Sequence, residues 1–213
     1  MPCRWAKCRF CNYIADNSTN VDEINRINQA VIRNVTGEFG ILEVINSGSC
    51  FELPEETLQM LKKLVVEKNI GKLYFESHWM YRHRLNDFRK MFAVPIIFIT
   101  GIETFDEYFR NEVLKKGVQF DSIEEIKRYF DSVCIMVGMV GQTREMIAND
   151  VKILIDNFAH GTVNIFVENE TEIKPDLELQ DWFKREYAWL EQVEKIDVLW
   201  KNTDFGVGSV INE

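Results

Sequence analysis

The sequence predicts an α/β fold, a partial (β/α) TIM-like barrel in which helices wrap a parallel sheet. Five or six short apolar runs of strand length recur along the chain, and each is followed by apolar residues at helical spacing. The runs are continuously apolar, as is typical of parallel strands that are covered on both faces. With 213 residues, of which 46% are hydrophobic, the chain is most simply a single domain over residues 1–213.

The predicted strands are apolar runs of about five residues with polar or glycine-rich segments at their ends. They are Ile41–Ile45, Leu73–Phe75, Pro95–Thr100, Val133–Val137, Val163–Val167 and Ile196–Trp200.

The predicted helices have recognisable start and stop signals. Thr19 or Asn20 can cap a helix that places Ile24, Ile27 and Val31 on one face. Further helices are predicted after Pro54, over residues 80–91, through Phe105, Phe109 and Val113, after Ser122, after Thr143 and over residues 177–195.

In a (β/α) barrel, functional residues collect in the loops that follow the carboxyl ends of the strands. This rule selects the loops Asn46–Ser49, Glu76–His78, Gly101–Thr104, Gly138–Gln142 and Asn164–Asn169. We therefore expect a binding site to be built from these loops.

Three of the five cysteines, Cys3, Cys8 and Cys11, stand in a C-x4-C-x2-C array at the start of the chain. Closely spaced thiolates suit a soft metal centre such as an iron-sulfur cluster. A closed cluster or a structural zinc site normally takes four protein ligands, so three leave one metal position open for a substrate or cofactor. The alternatives are a zinc knuckle with a fourth ligand from elsewhere, such as a histidine, and a set of unligated thiols.

Composition excludes several classes of function. No run of eighteen apolar residues and no signal peptide is present, so neither a membrane span nor secretion is indicated and a cytoplasmic protein is expected. An odd number of cysteines, five, of which three cluster at one end, does not indicate a disulfide framework. The net charge of -9 argues against a surface that binds a nucleic-acid backbone.

The cysteine loop resembles a known family. Its end, Cys8-Arg9-Phe10-Cys11, with an aromatic residue just before the last cysteine, resembles the cluster loop of the radical S-adenosylmethionine (radical SAM) superfamily. The usual spacing there is C-x3-C-x2-C, and the first gap is one residue longer here.

Two later stretches are similar to one group within that superfamily, which contains the oxygen-independent coproporphyrinogen oxidases and the Elongator catalytic subunit. Gly101-Ile102-Glu103-Thr104, followed by Arg110 and Lys116-Gly117, resembles the G-x-E-[ST] stretch of the group. Gly141-Gln142-Thr143 resembles its P-G-Q-T turn, with Val140 in place of proline.

The resemblance implies an enzyme that cleaves S-adenosylmethionine (SAM) reductively and starts hydrogen abstraction from an unidentified substrate. It implies that Cys3, Cys8 and Cys11 hold a 4Fe-4S cluster whose fourth iron chelates SAM. It further implies ribose contacts from Glu103 and a methionine-carboxylate contact from Arg110. For these last two, the alternative is a surface arrangement without a ligand. The other cofactor contacts implied are Phe10, the loop Asn46, Ser47, Gly48 and Ser49, and the turn with Gly138 and Gly141.

The sequence also departs from the family. In the family a first barrel strand precedes the cysteine loop, and Met1 and Pro2 leave no room for one, which implies a minimal enzyme or a fragment. The edge strand Ile41–Ile45 then requires cover from a partner chain or a second copy. A further partner implied by the resemblance is an electron donor such as flavodoxin or ferredoxin. The alternative function is that of a non-catalytic metal-binding or partner protein derived from the fold.

Overall fold

The structure is a computed structural model and describes residues 1–201. Six strands form one sheet in the order β1-β2-β3-β4-β5-β6, and β1-β2, β2-β3, β4-β5 and β5-β6 pair in parallel. This confirms the predicted α/β class and the partial (β/α) barrel. The strands are β1 Ile41–Val44, β2 Lys72–Glu76, β3 Ile96–Glu103, β4 Ser132–Val137, β5 His160–Ile165 and β6 Ile196–Leu199.

The α-helices of the described residues are α1 Val21–Ile32, α2 Glu55–Glu67, α3 Leu85–Arg89, α4 Ile123–Tyr129, α5 Arg144–Asn157 and α6 Leu177–Glu186. Two predicted helices are broken. The segment 80–91 is a 3-10 helix, Trp79–Arg84, followed by the short α3, and the segment 177–195 ends at α6 before the 3-10 helix Ala188–Gln192. The remaining short elements are the 3-10 helices Tyr13–Asp16 and Cys50–Glu52 and the π-helical turn Phe109–Val113.

The chain forms two compact units. Unit 1 comprises residues 1–6, 12–100 and 128–130, and unit 2 comprises residues 7–11, 101–127 and those from 131 onward. The assignment of one domain to residues 1–213 stays a prediction. No helix among residues 1–201 is long and apolar enough to cross a membrane. The segment Asn202–Gly208, which the sequence suggests as a lid carrying Asp204 and Phe205, lies outside the described residues.

The core of unit 1 is built on β2. Leu73 and Phe75 are fully buried, and the Phe75 ring makes an edge contact with Phe88 of α3 at 4.9 Å between ring centroids. The predicted inward stripe of α2 is buried as well, as shown by Leu58, Leu61, Leu64 and Val65. One face of β2 is thus covered by helices.

The predicted helix α1 is confirmed with its Asn20 cap, but its apolar face is largely exposed. Ile27 and Val31 are 51% and 62% exposed, whereas the buried residue of α1 is Asn25. Its amide donates to the Glu56 carboxylate at 2.9 Å and accepts from the Thr57 hydroxyl at 2.9 Å. Because a buried amide is stable when it is hydrogen-bonded, α1 packs on α2 through polar groups, and its apolar residues remain outside.

The core of unit 2 lies between β4, β5 and α5. Val133, Ile135 and Val163 are fully buried, as is Leu154 of α5. At the amino ends of three strands, the Ser132 hydroxyl contacts His160 Nδ1 at 2.9 Å, and His160 Nε2 contacts Asp197 at 2.8 Å. Ser132 is fully buried and lies at the strand ends opposite to those where barrel sites form. We therefore interpret this Ser-His-Asp chain as structural: it links β4, β5 and β6 and stabilises their register.

Candidate functional site

The three cysteines of the array form no disulfide and are half-buried. Cys3 belongs to unit 1, and Cys8 and Cys11 belong to unit 2. Within residues 1–201, no three His, Cys, Asp or Glu side chains already stand together as a metal site. The joint ligation of one metal centre by Cys3, Cys8 and Cys11 therefore stays a prediction. Cys50, by contrast, is fully buried, and burial raises the pKa of its thiol to about 12.

In unit 1, Cys3 lies against Gly48. A Cβ atom at position 48 would come within 3.3 Å of the Cys3 Cα and would overlap the Glu52 carboxylate. A side chain here would force the carboxylate to move, and glycine avoids this. Gly48 therefore allows the cysteine-bearing segment to approach the loop after β1.

The other three residues of that loop are Asn46, Ser47 and Ser49, and one of their polar atoms has no hydrogen-bond partner among the described residues. The Ser47 hydroxyl donates to Asn17 at 2.9 Å, and the buried Ser49 hydroxyl donates to Ser77 at 3.2 Å. The Asn46 amide nitrogen donates to the Ser49 carbonyl at 3.1 Å. Its oxygen, Oδ1, is buried and has no hydrogen-bond partner among the described residues. Because an unpaired buried acceptor is costly, Asn46 Oδ1 indicates a site for a hydrogen-bond donor of a ligand.

In unit 2, Phe10 anchors the segment that carries Cys8 and Cys11. Its buried ring packs with Phe109, Leu114, Met139, Phe166 and Ile173, and both cysteines contact the same cluster. The Arg9 amide donates to the Leu114 carbonyl at 3.0 Å, and the Asn169 side chain donates to the Phe10 carbonyl at 2.9 Å. The backbone of this segment is thus held at two points.

Glu103 forms a buried ion pair with Lys116. The Nζ–Oε1 distance is 2.6 Å, and the side chains of Glu103 and Lys116 are 5% and 13% exposed. Burial by itself lowers the pKa of Lys116, but the Glu103 carboxylate, followed by Cys8 and Cys11, raises it above its ordinary value. Lys116 is therefore a fixed positive charge within electrostatic reach of two cysteines of the array. One oxygen of Glu103 is already used in this pair.

Arg110 is buried, so the surface alternative for this residue is wrong. Its Nε donates to the Val118 carbonyl at 2.8 Å, and its Nη1 donates to the Thr104 carbonyl at 2.9 Å. The guanidinium lies 4.3 Å above the centre of the Phe120 ring. These contacts hold the turn after β3, and a contact of Arg110 with the methionine carboxylate stays a prediction.

The turn after β4 is shaped by two glutamines. Gly138 and Gly141 have φ angles of +88° and +97°, which favour glycine. Gln142 Oε1 accepts from the Gly138 amide at 2.9 Å, and Gln180 donates to the Phe166 carbonyl at 2.7 Å and to the Gly138 carbonyl at 3.1 Å. These hydrogen bonds hold the turn in place, and its contact with SAM stays a prediction.

The sequence analysis missed Glu52, which forms a capping box with Ser49. The signal was present, because Ser49-Cys50-Phe51-Glu52 has the S-x-x-E pattern of such a box. The helix that it caps has only three residues and shows no periodicity of its own. Gln180 was missed as well, because its partner Gly138 is far away in the sequence, and the contact of Asn169 with Phe10 was not foreseen for the same reason, although the loop that contains Asn169 was selected.

Comparison with solved structures finds a queuine lyase from Clostridium spiroforme whose structure is bound to SAM and queuine. The two chains are 51% identical, the TM-score is 0.94, and the match covers 97% of this chain and 90% of the lyase. SuiB from Streptococcus suis shares the fold, with a TM-score of 0.59 and 17% identity over 94% of this chain and 47% of SuiB. Methylornithine synthase (PylB) also shares it, with a TM-score of 0.55 and 18% identity over 83% of this chain and 53% of that enzyme.

Among curated proteins, an uncharacterized protein of Methanocaldococcus jannaschii is 29% identical over 140 residues. The match covers 57% of this chain and 38% of that protein, so the chain spans well under half of the relative's length. No family model matches the chain.

The order and pairing of the strands define a partial (β/α) barrel of the α/β class. The likeness to the lyase spans nearly all of both chains, and the chain belongs to the radical SAM superfamily, as its cysteine loop suggests. It is a radical SAM enzyme, and the cofactors implied are SAM and a 4Fe-4S cluster.

Proposed function

We propose that this radical SAM enzyme is a lyase that cleaves queuine, a modified guanine base that carries a secondary amine. The observation that supports this is the 51% identity and the TM-score of 0.94 to the queuine lyase, across 97% of this chain. The likeness to SuiB and PylB, at 17% and 18% identity, supports only the fold.

For the cluster, we propose Cys3, Cys8 and Cys11 as the ligands. All three are half-buried cysteines outside any disulfide, and cysteine thiolates are the donors that hold iron-sulfur clusters. When bound, a 4Fe-4S cluster supplies a single electron for reductive cleavage of SAM. The part of Lys116 is to keep positive charge near Cys8 and Cys11, where thiolate ligands carry negative charge.

For SAM, we propose that the amino group donates to Asn46 Oδ1, the buried acceptor that has no partner among the described residues. The Asn46 side chain is held within its own loop, because its amide nitrogen donates to the Ser49 carbonyl. The further contacts proposed follow the superfamily and are those of Phe10, Ser47, Gly48, Ser49, Glu103, Arg110, Gly138 and Gly141.

For the substrate, we propose the face of β1 and β2 that bears Glu43, Tyr74 and Glu76. Glu43 is directly paired in register with Tyr74, and Glu76 lies two residues further on the same face of β2. The opposite face of β2 is buried under helices, whereas Tyr74 and Glu76 are only half-buried. Both faces of an inner parallel strand are usually covered, so we propose that the substrate covers this one. The carboxylates of Glu43 and Glu76 accept hydrogen bonds and therefore suit a substrate rich in N–H groups, as queuine is.

Two partners are part of this proposal. An electron donor such as flavodoxin or ferredoxin would reduce the cluster. A second copy of the chain would cover the outer edge of β1, which is the end strand of the sheet among the described residues. We further propose a cytoplasmic location, because free thiols persist in a reducing compartment.

The test is anaerobic reconstitution of the protein with iron and sulfide, followed by incubation with SAM, queuine and dithionite. We expect formation of 5'-deoxyadenosine together with consumption of queuine, both measured by liquid chromatography and mass spectrometry. Cleavage of SAM without loss of queuine would refute the substrate but leave the enzyme class intact. A colourless protein that holds zinc would refute the cluster ligands.

A further inference from the structure

Glu52 is a buried carboxylate that contacts three separate parts of unit 1. It is 8% exposed and lies in the 3-10 helix after the β1 loop. Its Oε1 accepts from the Arg4 backbone amide at 2.9 Å and from the Tyr81 hydroxyl at 3.0 Å, and its Oε2 accepts from the Ser49 amide at 2.5 Å. Three donors thus converge on one side chain.

The contact with Arg4 involves the residue directly after Cys3. Gly48 lies between the Glu52 carboxylate and the Cys3 backbone, and both approach it closely. The carboxylate therefore connects the segment that carries Cys3 to the loop that carries Asn46 and Ser49. A second contact supports this segment, since the Trp5 ring stacks on His78 at 5.3 Å between ring centroids.

We propose that Glu52 is a positioning residue that holds Cys3 in place for metal binding. Residues 1–6 contain no helix or strand, so the order of this segment depends on contacts with other parts of unit 1. A carboxylate accepts hydrogen bonds from backbone amides more strongly than a neutral group does. A β-strand is held in place by hydrogen bonds to the neighbouring strand. Residues 1–6 form no strand, and the hydrogen bond from Arg4 to Glu52 holds them instead.

The inference rests on the proposed role of Cys3 as a ligand, but its first measurement does not need the cluster. In the chelator-treated full-length protein, each cysteine is labelled with isotope-coded iodoacetamide, and its labelling rate is followed by mass spectrometry. In Glu52→Ala we expect Cys3 to be labelled about tenfold faster than in the wild type, because charged hydrogen bonds to the segment are lost. Cys8 and Cys11, which are held by Phe10 and its neighbours in unit 2, should keep their rates.

Two further variants serve as a conservative substitution and a matched control for this result. Glu52→Gln keeps an acceptor for Arg4 but points an amide N–H at the Ser49 N–H, so its effect on Cys3 should be smaller than that of Glu52→Ala. Glu56→Gln removes a carboxylate four residues away, which accepts from Asn25 instead, and should leave the labelling of Cys3 unchanged.

The second measurement is iron and sulfide content after anaerobic reconstitution, which should fall at least twofold in Glu52→Ala and not in Glu56→Gln. Unchanged labelling of Cys3 in Glu52→Ala would overturn the inference. An equal increase at Cys3, Cys8 and Cys11 would also overturn it, because that pattern indicates general loosening of the protein. If the wild type binds no cluster, the proposed function fails, but the labelling rates still decide the role of Glu52.

Discussion

At the scale of single residues, the structure contains several buried charges with defined partners. Asp150 of α5 is one of them: it is almost fully buried and accepts from the Phe105 amide at 2.7 Å. Burial raises the pKa of Asp150 from 3.8 to about 7. The carboxyl group therefore titrates near neutral pH and makes the stability of the fold depend on pH.

The direction of this dependence follows from the two pKa values. Between pH 3.8 and about 7 the folded state binds more protons at Asp150 than the unfolded state does, so this group makes the protein less stable as pH rises through that range. The loss is up to about 4 kcal/mol at ~1.4 kcal/mol per pH unit. In Asp150→Asn the difference in the free energy of unfolding between pH 5 and pH 8 should shrink by a few kcal/mol. Urea titrations at the two pH values measure it, and an unchanged difference would contradict the assignment.

The buried pair of Glu103 and Lys116 predicts a second result. Lys116→Met leaves the Glu103 carboxylate buried without its partner and should lower the free energy of unfolding by about 3–5 kcal/mol. Adding Glu103→Gln removes the uncompensated charge and should restore part of the loss. Urea unfolding of both single variants and the double variant measures the coupling. Additive effects of the two substitutions would show that the pair is not coupled.

At the scale of elements, the loop after β1 is shaped by how closely other groups approach it. In Gly48→Ala the new Cβ would collide with the Glu52 carboxylate, so we expect the protein to lose about 1–3 kcal/mol of stability. Gly71→Ala is the matched control, because a Cβ there would meet only the Gly40 carbonyl at 3.7 Å. Thermal unfolding of the two variants compares them. An equal change in both would mean that the approach of Glu52 does not restrict position 48.

Helix α1 shows the limit of periodicity as a guide to burial. The spacing of Ile24, Ile27 and Val31 predicts a helix correctly, and Asn20 caps it through a hydrogen bond from the Glu23 amide. The same spacing does not tell whether that face is buried, and the buried contact of α1 with Glu56 and Thr57 of α2 is made by Asn25 instead. A pattern of apolar residues predicts which residues share a face of a helix. It does not predict which face packs against another element.

At the scale of the whole molecule, unit 1 has exposed apolar residues at the edge of the sheet, where a second copy of the chain is proposed to bind. Phe39 and Ile41, just before and within the end strand β1, are 83% and 49% exposed. If a second copy covers this edge, Ile41→Lys should convert a dimer into a monomer, because it places a charge in the contact. Val66→Lys, at an exposed position of α2, should leave the mass unchanged. Sedimentation velocity measures both, and a monomeric wild type would rule out the second copy.

The sequence by itself determined the elements and the class of enzyme. Strand positions, the caps of α1 and α5, and the three-cysteine array are local features, since each depends on residues a few positions apart. Cysteine spacing and the residues around Phe10 were enough to predict the radical SAM superfamily, which the likeness to the lyase confirms.

Only the tertiary structure decided how those residues are held. Glu52 contacts Arg4 across 48 positions, and Asn169 contacts Phe10 across 159 positions. The inward role of Asn25 and the burial of Arg110 likewise depend on residues of other elements. The physical reason is that hydrogen bonds and burial depend on distance in space, whereas the patterns of a sequence report only on neighbours along the chain.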